Sequence, residues 1–304
     1  MLAGKAAAHL SRPAVWETAV ARWVLLAGLA LALGGLAGRG LARQYKGAFP
    51  APLPQPWALR GALAGAAPSG WLALIALGSG NPVAGLAHGT RLLSAGQAAA
   101  AAAAAELISF LIAALLLRLR QPGWSVAPLL AVVAAEGVRA HPESIVPVGG
   151  ALLTYCHLLP AVTWAGMLVY VLRAAVSWRD HPVDMRGLVR LYAVAAGWLF
   201  ALVLGTGIVS ALVLVPLKSL LTTTYGRVLI AKAVLVAVAA VFAVAGRVWL
   251  RRQPVPGAGP ALATRLECGM LAAVLAVTAL LTALTPPATP VRGVAAVRQH
   301  SPGR

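Results

Sequence analysis

Apolar residues in this chain fall in blocks of about the 20 that a bilayer-spanning helix requires, broken by short polar or basic stretches and free of two-residue alternation. Eight helices are predicted, at roughly 19–41, 59–80, 94–117, 124–139, 150–173, 191–214, 228–247 and 265–284. The first, fifth, sixth, seventh and eighth blocks are the plainest. The second carries Pro68 and several glycines, and the third opens on an alanine run, 98–105, that favours helix while adding little hydrophobicity. The fourth is short and contains Glu136, so seven spans is the alternative count. The first block has one feature of a signal peptide, Arg22 ahead of a short apolar core. Arg39 and Arg43 stand where a small-residue cleavage site belongs, so the helix is expected to be retained.

Composition narrows the class further. Of 304 residues, 60% are hydrophobic and 11% charged, with mean hydropathy +0.84, far from the balance of a soluble domain. The expected fold is all-α, a polytopic transmembrane helical bundle, which leaves out a soluble enzyme, a transmembrane β-barrel and a disordered chain. Residues 1–18 read as an N-terminal tail, 19–134 as a first transmembrane half, 135–287 as a core, and 288–304 as a basic C-terminal tail.

The net charge of +18 would suggest nucleic acid in a soluble protein. Here the basic residues cap apolar blocks, with no basic stripe of interleaved aromatics, so no nucleic-acid partner is expected and the bilayer takes that place. Fourteen basic residues lie in the odd-numbered connections, among them Arg39, Arg43, Arg60, Arg118, Arg120, Arg173, Arg179 and Arg251. Five lie in the even ones: Arg91, Arg139, Lys218, Arg227 and Lys232. The odd connections are therefore expected to be cytoplasmic and both termini extracytoplasmic, with Trp57, Trp124, Trp178 and Trp249 as an interfacial belt. Cys156 and Cys268 sit inside apolar blocks as inert thiols, and no disulfide framework exists.

Ionisable groups within or at the ends of spans are costly and so are the first candidates for function. Counting about 20 residues outward from Arg173 places His157 one turn below the outer boundary of the fifth predicted helix. The same count puts Glu136 near the outer end of the fourth, with His141 just beyond, and His88 in an outer loop. His88, Glu136, His141 and His157 would then gather on one face and offer imidazole and carboxylate to a divalent transition metal such as copper or zinc. Bland readings stand beside this one. His88 is also a plain loop residue, His141 precedes Pro142 and can shape a turn, and Glu136 can snorkel or pair with Arg139. A buried His157 can simply satisfy a neighbouring polar group. Glu106 lies near mid-membrane, where a carboxylate should be neutral or paired, with Lys232 as one candidate partner that is equally placed to snorkel. Glu267 follows Arg265 at a helix end, where an interfacial ion pair accounts for it.

Several segments in order resemble the copper resistance protein D family of bacterial inner-membrane proteins. His157-Leu-Leu-Pro-Ala-Val-Thr-Trp164-Ala-Gly166 is similar to the family's His, six residues, Trp-x-Gly-Gly signature, with Met167 in place of the second glycine. Leu204-Gly205-Thr206-Gly207 resembles its small-residue crossing helix. Thr224-Tyr225-Gly226-Arg227 followed by Lys232 resembles its Tyr-Gly-Arg…Lys helix start, and Arg265-Leu266-Glu267 its last helix, closing at Pro286-Pro287. The resemblance covers about 135–287. It implies a multi-pass plasma-membrane protein that moves or tolerates copper, with a small extracytoplasmic copper-binding protein as a partner of some relatives. His157 carries over onto the motif histidine, and Tyr225, Arg227, Lys232 and Glu267 onto other polar positions; His88, His141 and Glu136 rest on topology alone.

The reading that results is a permease-like protein holding copper at its outer mouth through His157, His141 and His88, with Glu136 completing or orienting the shell. Glu106, Trp164, Tyr225, Arg227, Lys232 and Glu267 are transit or structural candidates. With four Met and two Cys in the chain, the imidazole-rich site suits Cu(II) capture or low-affinity transit better than a tight Cu(I) buffer. No nucleotide-binding motif is visible, and no enzymatic activity is expected. Three rivals remain open. One is a haem protein passing electrons to or from quinone, which would need a second axial histidine from a loop. Another is a non-transporting factor that delivers copper to a cuproenzyme, and the last is a purely structural membrane protein.

Overall fold

The computed structural model describes residues 13–44, 52–78, 96–138, 147–178, 181–214, 226–231, 233–238 and 240–241. Among these, regular structure is helical throughout. Helix α1 (Pro13–Leu29) continues through a π turn (Ala30–Gly34) into α2 (Gly35–Gln44), so the first predicted block is longer than its apolar core. Helix α3 spans Ala58–Leu77, α4 Gly96–Arg118, α5 Val126–Val138, α6 Pro147–Ser177 and α7 Pro182–Leu214. Helical backbone recurs over 226–241 in the described positions.

Among the described residues, four segments are long and apolar enough to cross a membrane: Trp16–Gln44, Ala99–Arg118, Gly149–Ser177 and Val183–Leu212. Helix α5, the fourth of the predicted set, has 13 residues. At 1.5 Å per residue it covers about 20 Å, short of a hydrocarbon core of roughly 30 Å. The eighth predicted helix lies outside the described residues.

The π-interrupted first segment packs against α3 on one side and α6 on the other; α3 packs on α4, α4 on α5, and α5 on α6, which closes a ring of five. Helix α7 lies outside that ring along α6. In lipid there is no hydrophobic drive between helices, so close backbone approach has to supply the cohesion. Glycines permit it at two places. A Cβ on Gly28 would sit 2.7 Å from the Gly61 carbonyl oxygen, across the α1–α3 crossing. A Cβ on Gly34 would sit 2.5 Å from Gly166 Cα, and one on Gly166 would collide with the Ala30 carbonyl. The π turn thus lies where α6 comes nearest. Met167, which stands where the resembling signature has a second glycine, is instead a buried core side chain, and the close approach is made by Gly166.

One end of the ring is tied by a proline strap. Residues 52–57, Pro-Leu-Pro-Gln-Pro-Trp, connect towards α3, and their three prolines have no N–H to offer a helix or a sheet. Their carbonyls are taken up by α6 and its end. Tyr170 donates its hydroxyl to Pro54 O (3.1 Å), Arg173 Nη1 donates to Gln55 O, and Trp178 Nε1 donates to Pro52 O (2.8 Å). This corrects the expected interfacial belt at Trp178, which is 2% exposed. Trp124 is exposed and Trp57 partly so, as belt residues would be. The α4–α5 turn closes on Arg120, whose φ of 59° lets Gln121 N–H reach back to Leu116 O (2.8 Å), a helix-ending geometry that a residue in the left-handed region provides.

Candidate metal-handling site

Helices α6 and α7 run antiparallel, and two cross-links set their register. Trp164 Nε1 donates to the Tyr192 hydroxyl (3.0 Å), and the Trp164 indole meets the Phe200 ring edge-on at 5.7 Å. Trp164 is buried, so its polar handle and its rings both serve α6–α7 packing. Two turns earlier along α6, His157 meets Thr206 of α7, with Nδ1 and Oγ1 3.0 Å apart.

The helix around Thr206 offers its hydroxyl a second acceptor. Its hydroxyl donates to Leu202 O at 2.6 Å, the carbonyl one turn back, with Val203 O at 3.3 Å. A hydroxyl has one proton: when it is given to Leu202 O, Thr206 Oγ1 accepts from His157 Nδ1–H, and in the other tautomer the hydroxyl donates to Nδ1. In the first arrangement a neutral imidazole has its lone pair on Nε2, one of the two nitrogens through which histidine ligates metals. Gly207 completes the seat. A Cβ there would lie 3.2 Å from the His157 ring carbon Cε1, so the glycine lets the imidazole lie against α7. Pro160, one turn on, cannot donate to the Cys156 carbonyl beside His157. Gly205, by contrast, has open space around its Cα, so in this small-residue segment the residue that takes a close neighbour is Gly207, and the neighbour is a side chain.

His157 stands 16 residues from Arg173, about 24 Å along α6. It is half-buried, at the opposite end of the bundle from the proline strap. Glu136 is buried at the end of α5, which argues against a snorkelling carboxylate. Its neighbour Gly137 packs on Ala151 O and the Tyr155 backbone of α6, which sets the end of α5 beside the turn that precedes His157. His88 and His141 lie outside the described residues, and among the described residues no group of three His, Cys, Asp or Glu is arranged to hold a metal. The predicted four-residue cluster is therefore represented here by His157 and Glu136.

Of the transit candidates, Glu106 is completely buried at the middle of α4. Arg227 is exposed on helical backbone, and Gly226 beside it is buried. Tyr225, Lys232 and Glu267 lie outside the described residues, as does the proposed Glu106–Lys232 pairing. Cys156 is an exposed free thiol. Tyr192 and Thr206 were not singled out as site residues by sequence reasoning. For Thr206 a signal was present, a hydroxyl between two glycines in an apolar helix, but its meaning depends on which residue it faces.

No curated protein and no solved structure matches this chain. The family model described as copper resistance protein D, CopD, matches residues 186–281, about a third of the chain. The matched stretch contains Tyr192, Thr206 and Gly207 and excludes His157. The match therefore supports the CopD family for this helical membrane protein, with residues 186–281 as the segment that carries it.

Proposed function

We propose that this is a copper-handling membrane protein, acting in copper uptake or copper tolerance, and that His157 presents Nε2 to the ion. The observation that carries the reading is the His157–Thr206 hydrogen bond. It joins the motif histidine to the family-matched helix, and with Thr206 as acceptor it leaves Nε2 for ligation. A metal-bound histidine is usually oriented by a hydrogen bond from its other ring nitrogen, and here a threonine hydroxyl supplies that acceptor. Copper is cargo in this reading. Glu136 supplies a carboxylate on the neighbouring helix, and His141 and His88 are further imidazoles assigned to the same mouth. The basic odd-numbered connections put that mouth on the extracytoplasmic side of a bacterial plasma membrane. The family-model match over residues 186–281 supports the copper assignment, while imidazole and carboxylate donors favour Cu(II) or transient Cu(I) over tight Cu(I) storage.

The test is a copper titration of the purified full-length protein beside His157→Ala, each checked for helix content by circular dichroism. Wild type is expected to hold copper and the folded variant to lose most of its affinity. Equal binding by the two would remove His157 from the site. Copper flux into sealed vesicles containing only this chain then separates a permease from a delivery factor.

A further inference from the structure

The strap end of the bundle gathers positive charge that the copper reading does not use. Arg39 Nη1 donates to the Gln55 side-chain oxygen at 3.0 Å, and Arg173 Nη1 donates to the backbone oxygen of the same residue. The Arg173 guanidinium lies 4.3 Å from the Trp57 ring centre, and that of Arg60 lies 6.0 Å from the same ring. Arginines from α2, α3 and α6 thus meet on two strap residues. Arg39, Arg43 and Arg173 are all within electrostatic reach of the Tyr170 phenol, and Arg60 is within reach of Arg173.

What these arginines hold is neutral: an amide oxygen, a carbonyl and an indole face. The chain has no Asp or Glu from 18 to 105 or from 144 to 179; Asp180 and Asp184 follow Arg173 in sequence, yet the charged or titratable groups acting on Arg173 are Arg60 and Tyr170. Four like charges held this close repel, and burial of two of them by half strengthens the repulsion. The membrane-crossing segments Trp16–Gln44 and Gly149–Ser177 both end here, which sets the cluster at the depth of lipid headgroups. Arg43 and Arg60 are exposed, so the cluster opens outward.

We propose that Arg39, Arg43, Arg60 and Arg173, arrayed around Gln55 and Trp57, form a binding site for a phosphate anion, the group carried by anionic phospholipid headgroups. The guanidinium fork matches phosphate oxygens two at a time, and a basic pocket between helices at the membrane surface is where such headgroups bind. The strap supplies rigidity, since its prolines and its bonds to α6 hold Gln55 and Trp57 in place before any anion arrives.

The full-length protein in neutral detergent is titrated separately with phosphatidylglycerol, phosphatidylcholine and inorganic phosphate. Bound ligand is read by native mass spectrometry and unfolding temperature by circular dichroism. The main variant is R43Q/R60Q, because neither residue is hydrogen-bonded to the strap among the described residues. Wild type is expected to retain phosphatidylglycerol over phosphatidylcholine, and the variant to bind it about thirty-fold more weakly, each arginine near the surface counting for roughly five-fold. R43K/R60K keeps the charge without the fork and is expected to fall between them. A response to phosphatidylglycerol alone assigns the site to lipid, and a response to inorganic phosphate as well assigns it to the anion from either source. Two results would overturn the proposal: wild type that shows no preference for either phosphate anion over phosphatidylcholine, which needs no variant to observe, or a folded R43Q/R60Q that binds as tightly as wild type.

Discussion

Replacing Gly166 by alanine should loosen the bundle at its tightest crossing, while the same replacement at Gly205 should not. On helix propensity alone, alanine is about 1 kcal/mol better than glycine in either helix. At Gly205 nothing lies within 4 Å of the new methyl, so that gain is kept. At Gly166 the methyl would fall on the Ala30 carbonyl oxygen and 2.8 Å from Gly34 Cα. Both are backbone atoms of the π turn, so no side chain can swing aside and α6 must move off as a unit. Overpacking of this kind costs about 1–3 kcal/mol, with the upper end expected where backbone blocks the way. The net expectation is a loss of about 2 kcal/mol for Gly166→Ala and a gain of up to about 1 kcal/mol for Gly205→Ala. Unfolding of both variants in detergent, followed by far-UV circular dichroism against a denaturant series, reads the difference directly. If Gly166→Ala proves as stable as Gly205→Ala, the π turn does not approach α6 as described and the packing argument fails.

Thr206→Val keeps shape but removes the acceptor for His157 Nδ1, so copper affinity should fall roughly 10–100-fold, while Thr206→Ser stays near wild type; equal affinities across the three would remove Thr206 from any orienting role. Gly207→Ala would press on the His157 ring at 3.2 Å. It should weaken copper binding several-fold at unchanged helix content, and an unchanged affinity would show that the ring yields freely. Trp178→Phe deletes the donor to Pro52 O and should cost about 1 kcal/mol of stability, measurable as a lowered unfolding temperature; no change would mean the strap is held without it.

How far the sequence could be read depended on the kind of signal. The apolar blocks around Leu25, Phe110, Leu168 and Ala196 mark helices because their length and composition are local properties that lipid imposes on each segment separately. The candidate site was legible only in part. His157 stood out as an imidazole inside a span, yet its partner lies 49 residues away on α7, and no spacing rule links the two. Trp178 was misread for the same reason. Its position beside basic residues fits a belt, and only the fold brings the Pro52 carbonyl to its indole N–H. The prolines at 52, 54 and 56 keep that segment out of helix and sheet, and only the fold supplies the donors that bind its carbonyls.

The sequence by itself determined that this chain is a helical membrane protein, that its positive charge collects at helix ends, and that it resembles the CopD family over about 135–287, of which 186–281 match the family model. Each of these is written in composition, run length or ordered motif, which survive without knowledge of neighbours. Tertiary structure alone decided that Gly34 faces Gly166, that Thr206 meets His157, and that arginines from three helices share Gln55 and Trp57. The physical reason is that helices in lipid gain little from hydrophobicity against one another. Which faces meet is therefore settled by backbone fit and a few buried hydrogen bonds, interactions between residues far apart in the chain.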